Sequence, residues 1–135
     1  MEPSPRYGKA GAYQNVAAWT SLSTADPHRL IQMMFDGALA RVAPARGCMQ
    51  YGRVAEKGPL VSRALAIVDE LRGSLDLVRG GTIAASLDDL YDYMSRRLVE
   101  ANATNRPEIL DEVTTLLREL RDAWVAVSAD APQPG

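Results

Sequence analysis

Apolar residues recur at spacings of three and four positions in four stretches of the chain, and breaks containing glycine or proline separate these stretches. This spacing places the apolar side chains on one face of a helix, whereas no run alternates as a strand would. The predicted inward positions are Ile31, Met34, Ala38, Val42, Ala45 and Met49; Val61, Ala64, Val68, Leu71, Leu75 and Val78; Ile83, Leu87, Leu90, Met94, Leu98 and Ala101; and Leu110, Val113, Leu117, Leu120, Trp124 and Val127. Four amphipathic helices with short connections predict an all-α protein, an antiparallel up-down four-helix bundle.

Capping and breaking residues predict where these helices begin and end. Asp26 can accept hydrogen bonds from the free N–H groups of a first turn, and Pro27 suits a first helical position. Gly80 and Gly81 are expected to end the second helix, because glycine readily adopts the left-handed cap conformation. Pro107 fits the first turn of the fourth helix.

Two prolines interrupt the pattern. Pro44 lies within the first helix, where it removes one backbone hydrogen bond, so the helix is expected to kink there or to weaken before Gly47. The second helix is clear from Leu60 onwards, but its start near Gly58 and Pro59 is left open by the spacing.

The bundle is expected to occupy most of a single domain, because 135 residues is an ordinary domain length. Residues 1–25 are expected to be a mobile N-terminal segment with a possible short helix, residues 26–128 to form the bundle, and residues 129–135 to be a disordered tail. Tyr13 and Val16 belong to an apolar spacing of three, which drifts around a helix and makes a poor core stripe. The segment is therefore either a cover for one end of the core or a lid beside a groove.

Composition and charge narrow the class of protein. Hydrophobic residues make up 47% of the chain, which is typical of a globular protein. The net charge of -2 and the absence of a basic stripe argue against a nucleic-acid partner. Cys48 is the single cysteine, which excludes an internal disulfide and a cysteine-built metal site. No apolar run approaches the roughly 20 residues of a membrane span and no signal peptide is present, so a cytoplasmic protein without membrane insertion is expected.

His28 is the one histidine of the chain and decides the questions of catalysis and metal binding. A paired-metal bundle needs a Glu-x-x-His motif on two helices, and a Ser-His-Asp or Cys-His site would also have to use His28. At the start of a helix, His28 is expected to be a surface or capping residue. No glycine-rich phosphate loop is present either. The sequence therefore predicts no catalytic residue, no metal, no cofactor and no small-molecule substrate: the protein is not expected to be an enzyme.

Binding of another protein is the function that the pattern favours. A helical bundle can accept an amphipathic segment of a partner in a groove between its helices. Apolar residues that fall outside the inward stripes, such as Met33, Leu77 and Tyr93, are expected to be the anchors of such a contact. Trp124 falls within the stripe of the fourth helix and is expected to be a core residue.

The wording of several stretches is more specific than their periodicity. The residues concerned are Gly80-Gly81-x-Ile83-Ala84-x-x-Leu87, Leu90-Tyr91-Asp92-Tyr93-Met94-x-x-Arg97-Leu98, Ala101-Asn102 and, earlier, Pro27-His28-x-Leu30-Ile31-x-Met33-Met34-Phe35-Asp36-Gly37-Ala38. In order and spacing, these motifs resemble the flagellar secretion chaperone family (FliS) over about residues 13 to 127.

This resemblance implies a cytosolic export chaperone. Members of the family bind the disordered C-terminal region of flagellin, prevent its premature polymerisation, and present it to the flagellar export apparatus. The resemblance also implies that the N-terminal Tyr-x-x-Val pattern lies near the flagellin groove. The candidate flagellin contacts are Tyr13, Val16, Met33, Leu77, Tyr91, Tyr93 and Asn102. A non-catalytic adaptor bundle that binds a different protein is the alternative interpretation.

Overall fold

Helices make up nearly all of the chain that the structure describes. The structure is a computed structural model that describes residues 26–130, with side chains from residue 26 to residue 127. Within that range the helices are α1 (Pro27–Gln50), α2 (Val54–Gly73), α3 (Leu77–Thr104) and α4 (Pro107–Asp130), and there is no strand. The all-α prediction is confirmed. The candidates Tyr13 and Val16 lie outside the described residues, and α4 continues two residues past the predicted bundle limit at 128.

The helices pack as a closed ring of neighbours. α1 contacts α2, α2 contacts α3, α3 contacts α4, and α4 returns to contact α1. Contacts near both ends of α1 give the direction of α4: Arg46 pairs with Asp111 at the start of α4, whereas Trp124 near its end reaches His28. α1 and α4 are therefore antiparallel. With connections of only two or three residues between consecutive helices, the arrangement is the predicted up-down four-helix bundle.

The core follows the middle of each predicted stripe. The buried apolar cluster comprises Met34, Phe35, Ala38, Val42, Ala45, Met49, Val61, Ala64, Val68, Leu71, Tyr91, Met94, Leu98, Ala101, Ile109, Leu110, Val113 and Leu117. Leu87, Leu90, Leu120 and Trp124 are half-buried against it. Burial of this apolar area, at about 25 cal/mol per Å², is the main force that holds the four helices together.

The predicted stripes are wrong at the ends of the helices. Leu30 is buried and Ile31 is only half-buried, although Ile31 was the predicted inward position. Ile109 is also buried and was not predicted. Val127 is exposed because it lies about one turn beyond Trp124, which already contacts the second residue of α1, so little of α1 is left for it to pack against.

The junction between α2 and α3 differs most from the prediction. α2 ends at Gly73, and Asp76 caps the start of α3 by accepting a hydrogen bond from the N–H of Arg79 at 3.0 Å. Gly80 and Gly81 therefore do not end α2; they lie within the first turns of α3. Val78, predicted to face the core from α2, belongs to the first turn of α3 and is 92% exposed.

A kink at Gly81 divides α3. Gly81 has φ +56° and ψ −132°, a conformation that is open to glycine and strained for residues with a Cβ atom. A Cβ atom on Gly80 would lie 2.5 Å from the Cβ of Ala84, so Gly80 permits a close approach inside the same kink. Ile83, a predicted inward residue, follows the kink and is 73% exposed.

The two prolines do not break their helices. α1 continues through Pro44 to Gln50, and the expected weakening before Gly47 is not seen. Ala45 and Met49 are buried just after Pro44, and their packing holds the last turns in place. α2 begins at Val54 and contains Pro59 in its second turn, which settles the helix start that the sequence left open.

Candidate functional site

An apolar groove opens at the end of the bundle where α1 and α3 begin and where α2 and α4 finish. We call it the end groove; its volume is about 670 Å³. Every helix contributes to its wall. The apolar lining residues are Pro27, Ile31, Phe35, Leu71, Leu75, Ile83, Ala84, Leu87, Tyr91 and Trp124. A concave, mostly apolar surface with few polar groups is typical of a binding site.

The kinked start of α3 forms one rim of the end groove. Asp76, Arg79 and Gly80 line it directly. Beside them, Leu77 is 54% exposed, so its apolar side chain extends the apolar surface past the rim. Single exposed apolar residues are common in proteins, but a cluster of them around a groove indicates a contact surface. The kink at Gly81 is the local feature that separates this rim from the rest of α3.

The end of α4 meets the start of α1 in an aromatic pair. The rings of His28 and Trp124 are stacked, with centroids 4.2 Å apart and planes 10° from parallel. The indole N–H of Trp124 donates a hydrogen bond of 2.8 Å to the backbone carbonyl of His28. Trp124 is half-buried and lines the end groove, so the prediction that it is an ordinary core residue is wrong. The reason is its position near the end of the bundle, where fewer helices surround it.

Tyr91 lies at the inner wall of the end groove. It is buried in the core cluster, whereas the sequence pattern had placed it at the edge of the stripe. Burial disfavours the charged phenolate and raises the pKa of Tyr91 to about 12. Among the sequence-derived candidates, Tyr91 is the one that lines the end groove directly.

A group of ion pairs fixes α3 against α2 just beyond the kink. Arg72, near the end of α2, contacts Asp88 at 2.7 Å and Asp92 at 3.1 Å. The hydrogen bond from Arg72 lowers the pKa of Asp88 below its ordinary value. These contacts hold the part of α3 after Gly81, and no ion pair printed for the described residues ties Leu77 or Val78 to α2.

Tyr93 and Met33 lie away from the end groove. The Tyr93 hydroxyl donates a 2.6 Å hydrogen bond to Glu112 on α4, which raises the pKa of Tyr93 and lowers that of Glu112. Arg97 also contacts Glu112, at 2.8 Å. The polar end of Tyr93 therefore serves the α3–α4 contact. Met33 is half-buried on α1 and is not among the residues that line the end groove.

Asn102 lies at the opposite end of the bundle. Its backbone carbonyl accepts a 3.0 Å hydrogen bond from the ammonium group of Lys57, which also donates to the side chain of Asn105 at 3.1 Å. Lys57 is only 6% exposed, and this buried contact was not predicted. A signal was present: Lys57 precedes Val61 by four residues and so continues the inward stripe of α2.

Two general searches add limits within the described range. No group of three or more histidine, cysteine, aspartate or glutamate side chains between residues 26 and 127 is arranged to hold a metal ion. Of the helices that the structure describes, none is long and apolar enough to cross a membrane.

Comparisons with known proteins give the family. The model of the family described as flagellar protein FliS matches residues 9–131. Flagellar secretion chaperone FliSB of Pseudomonas aeruginosa is 47% identical over 116 residues, which cover 86% of this chain and 92% of that protein. Flagellar secretion chaperone FliS of Salmonella typhimurium is 41% identical over 121 residues, with 89% and 90% covered, and that of Vibrio cholerae is 39% identical over 117 residues, with 87% and 86% covered. The chain belongs to the FliS family of flagellar secretion chaperones.

Proposed function

We propose that this protein is a cytosolic export chaperone that binds the disordered C-terminal segment of flagellin in the end groove. Binding keeps flagellin from polymerising early and delivers it to the flagellar export apparatus. The observation that carries the proposal is an apolar groove with an exposed apolar rim, in a chain of the FliS family. The C-terminal segment of flagellin is the proposed occupant because the family's members are named as flagellar secretion chaperones.

The energetics of such a contact support a groove of this kind. A disordered segment loses conformational entropy when it orders on binding, so a large apolar contact must offset that cost. The end groove offers apolar walls from all four helices, and Ile83 extends them towards the rim at 73% exposure. An amphipathic segment could therefore bury its apolar face against the groove and the rim together.

The remaining candidate contacts keep different places in the proposal. Tyr91 forms the inner wall and Leu77 the rim, so we propose that both contact flagellin. The chain reaches the bundle at Pro27, which lines the end groove, and we propose that Tyr13 and Val16 act near it. Met33, Tyr93 and Asn102 would contact flagellin only if the bound segment continues along the outside of the bundle.

Calorimetric titration with a C-terminal fragment of flagellin tests the proposal. The parent protein should bind with a negative change in heat capacity, because apolar surface is buried. Ile83→Asp places a charge on the groove wall without touching the core, so we expect at least about tenfold weaker binding with an unchanged melting temperature. Val54→Asp is the matched control, because Val54 is 60% exposed at the opposite end of the bundle.

The outcomes separate the two interpretations. Binding that Ile83→Asp weakens and Val54→Asp leaves intact would support a flagellin site in the end groove. A parent protein that does not bind the fragment would instead favour an adaptor bundle for another protein. Equal losses in both variants would mean that the end groove is not where the fragment binds.

A further inference from the structure

One ring nitrogen in the end groove lacks a hydrogen-bond partner. Nε2 of His28 is buried from solvent, and no donor or acceptor within the described part of the chain reaches it. His28 lines the end groove, where the surrounding side chains are almost all apolar. Buried polar atoms in proteins are nearly always paired, so an unpaired one beside a groove calls for a physical explanation.

The rest of the bundle holds the imidazole ring in place. The ring stacks on Trp124 with the planes 10° apart, and the Trp124 indole N–H donates to the carbonyl of the same residue. Rotation of the ring towards solvent would break the stack. The fixed ring therefore keeps Nε2 in its buried position.

Packing on Trp124 does not require a ring nitrogen. A phenyl ring would stack on the indole equally well and would leave no polar atom unpaired. The buried side-chain oxygen of Asn102 also lacks a partner, but Asn102 lies at the other end of the bundle, beside Lys57. His28 is thus the residue that brings an unpaired buried polar atom to the end groove.

We propose that Nε2 of His28 is a recognition atom of the end groove, which pairs with a hydroxyl or amide group on the bound segment. The segment that fits carries one polar side chain or one free backbone group among its apolar contacts. This inference rests on the proposed function and adds specificity to it. An otherwise similar segment with an apolar group at that point would leave Nε2 unpaired, and its affinity would fall.

Three substitutions of His28 test the inference by titration with the flagellin fragment. His28→Phe keeps the ring stack and removes both nitrogens, so binding should weaken about tenfold while the melting temperature stays the same or rises. His28→Gln places an amide near the position of Nε2, so its affinity should stay within about threefold of the parent. His28→Asn places the amide near Nδ1 instead and should behave as the phenylalanine variant does.

The control for specificity is the rescue by glutamine and not by asparagine. Unchanged affinity in His28→Phe would overturn the inference, and so would a loss of affinity that glutamine does not restore or that a lower melting temperature accompanies. Rescue by asparagine alone would also overturn it, because Nδ1 would then be the recognition atom. If the parent protein itself does not bind the fragment, the proposed function fails and this inference fails with it; if the parent and His28→Phe bind equally, only this inference fails.

Discussion

Trp124 does two things at the residue scale: it packs against the edge of the core, and its indole N–H anchors the first turn of α1. A half-buried tryptophan contributes less than a fully buried one, whose loss costs roughly 3–5 kcal/mol. We expect Trp124→Ala to lower the free energy of unfolding by about 2–3 kcal/mol, and Trp124→Phe, which loses the hydrogen bond, by about 1 kcal/mol.

Urea denaturation measures both changes. Val127→Ala is the control, because Val127 is an exposed residue of the same helix and its truncation should change the free energy of unfolding by less than about 0.5 kcal/mol. A Trp124→Ala variant as stable as this control would mean that Trp124 does not anchor α1.

Tyr91 should make stability depend on pH in the alkaline range. Its folded-state pKa is raised to about 12, whereas an unfolded tyrosine titrates near about 10. A raised folded pKa means that the stabilisation is fully present below about pH 10 and is lost as the pH rises through about 12. We therefore expect the free energy of unfolding of the parent to fall by on the order of 2 kcal/mol more than that of Tyr91→Phe over this range.

Urea denaturation at a series of alkaline pH values gives the comparison. Tyr51→Phe removes an exposed tyrosine and should follow the curve of the parent. Parallel curves for the parent and Tyr91→Phe would contradict the assignment of Tyr91 to the buried wall of the end groove.

At the scale of elements, the kink in α3 depends on two glycines for different reasons. Gly81→Ala puts a Cβ atom on a backbone with φ +56° and ψ −132°, which we expect to cost about 1–3 kcal/mol of stability. Gly80→Ala brings its Cβ atom to 2.5 Å from that of Ala84, and relief of this clash should also cost about 1–3 kcal/mol.

Gly47→Ala is the matched control for the two glycines. Gly47 lies inside α1, where no atom would meet an added Cβ, so alanine should stabilise that helix by up to about 1 kcal/mol. Thermal melts rank the three variants. The described kink would be wrong if Gly81→Ala melted as high as Gly47→Ala.

Lys57 joins the start of α2 to the end of α3. Its ammonium group carries a positive charge to the carbonyl end of α3, where the helix dipole favours it. Lys57→Met keeps much of the side-chain volume and removes both hydrogen bonds, so we expect the free energy of unfolding to fall by about 1.5–3 kcal/mol. In contrast, Arg63→Met changes an exposed residue of the same helix and should have little effect; equal stability of the two variants in urea would argue against the clamp.

The sequence was most informative about the elements and least about their junctions. Regular spacing predicts the four helices because each core residue, such as Val68 or Leu98, packs through the middle of a helix. A glycine pair gives the same local signal for a helix cap and for a kink, so Gly80 and Gly81 were misread; Asp76 was the better indicator, since its carboxylate caps α3.

The candidate site depends on contacts that no local pattern contains. His28 and Trp124 are 96 residues apart in the sequence, and only the closure of α4 onto α1 brings their rings together. The resemblance to FliS supplied the family, but its motifs did not distinguish Tyr91, which lines the groove, from Tyr93, which pairs with Glu112. Burial and pairing of this kind are properties of the folded bundle.

At the scale of the whole molecule, ion pairs mark each helix contact without dominating the stability. Arg46 and Asp111 pair at one end of the α1–α4 contact, and Arg121 pairs with Asp36 towards the other. These side chains are partly exposed, and such pairs typically contribute about 0–1 kcal/mol each. The common apolar core therefore carries most of the stability, and the ion pairs help to fix which helices are neighbours.

The position of Trp124 near the end of α4 has a consequence for biosynthesis. A ribosome makes the helices in chain order, and the end groove takes walls from Pro27 in α1 as well as from Trp124 in α4. A growing chain that has emerged only as far as Thr104 has neither the aromatic pair nor the closing contact between α4 and α1. The end groove is therefore complete only after translation has passed α4, so a nascent chain cannot capture a client while it is still being made.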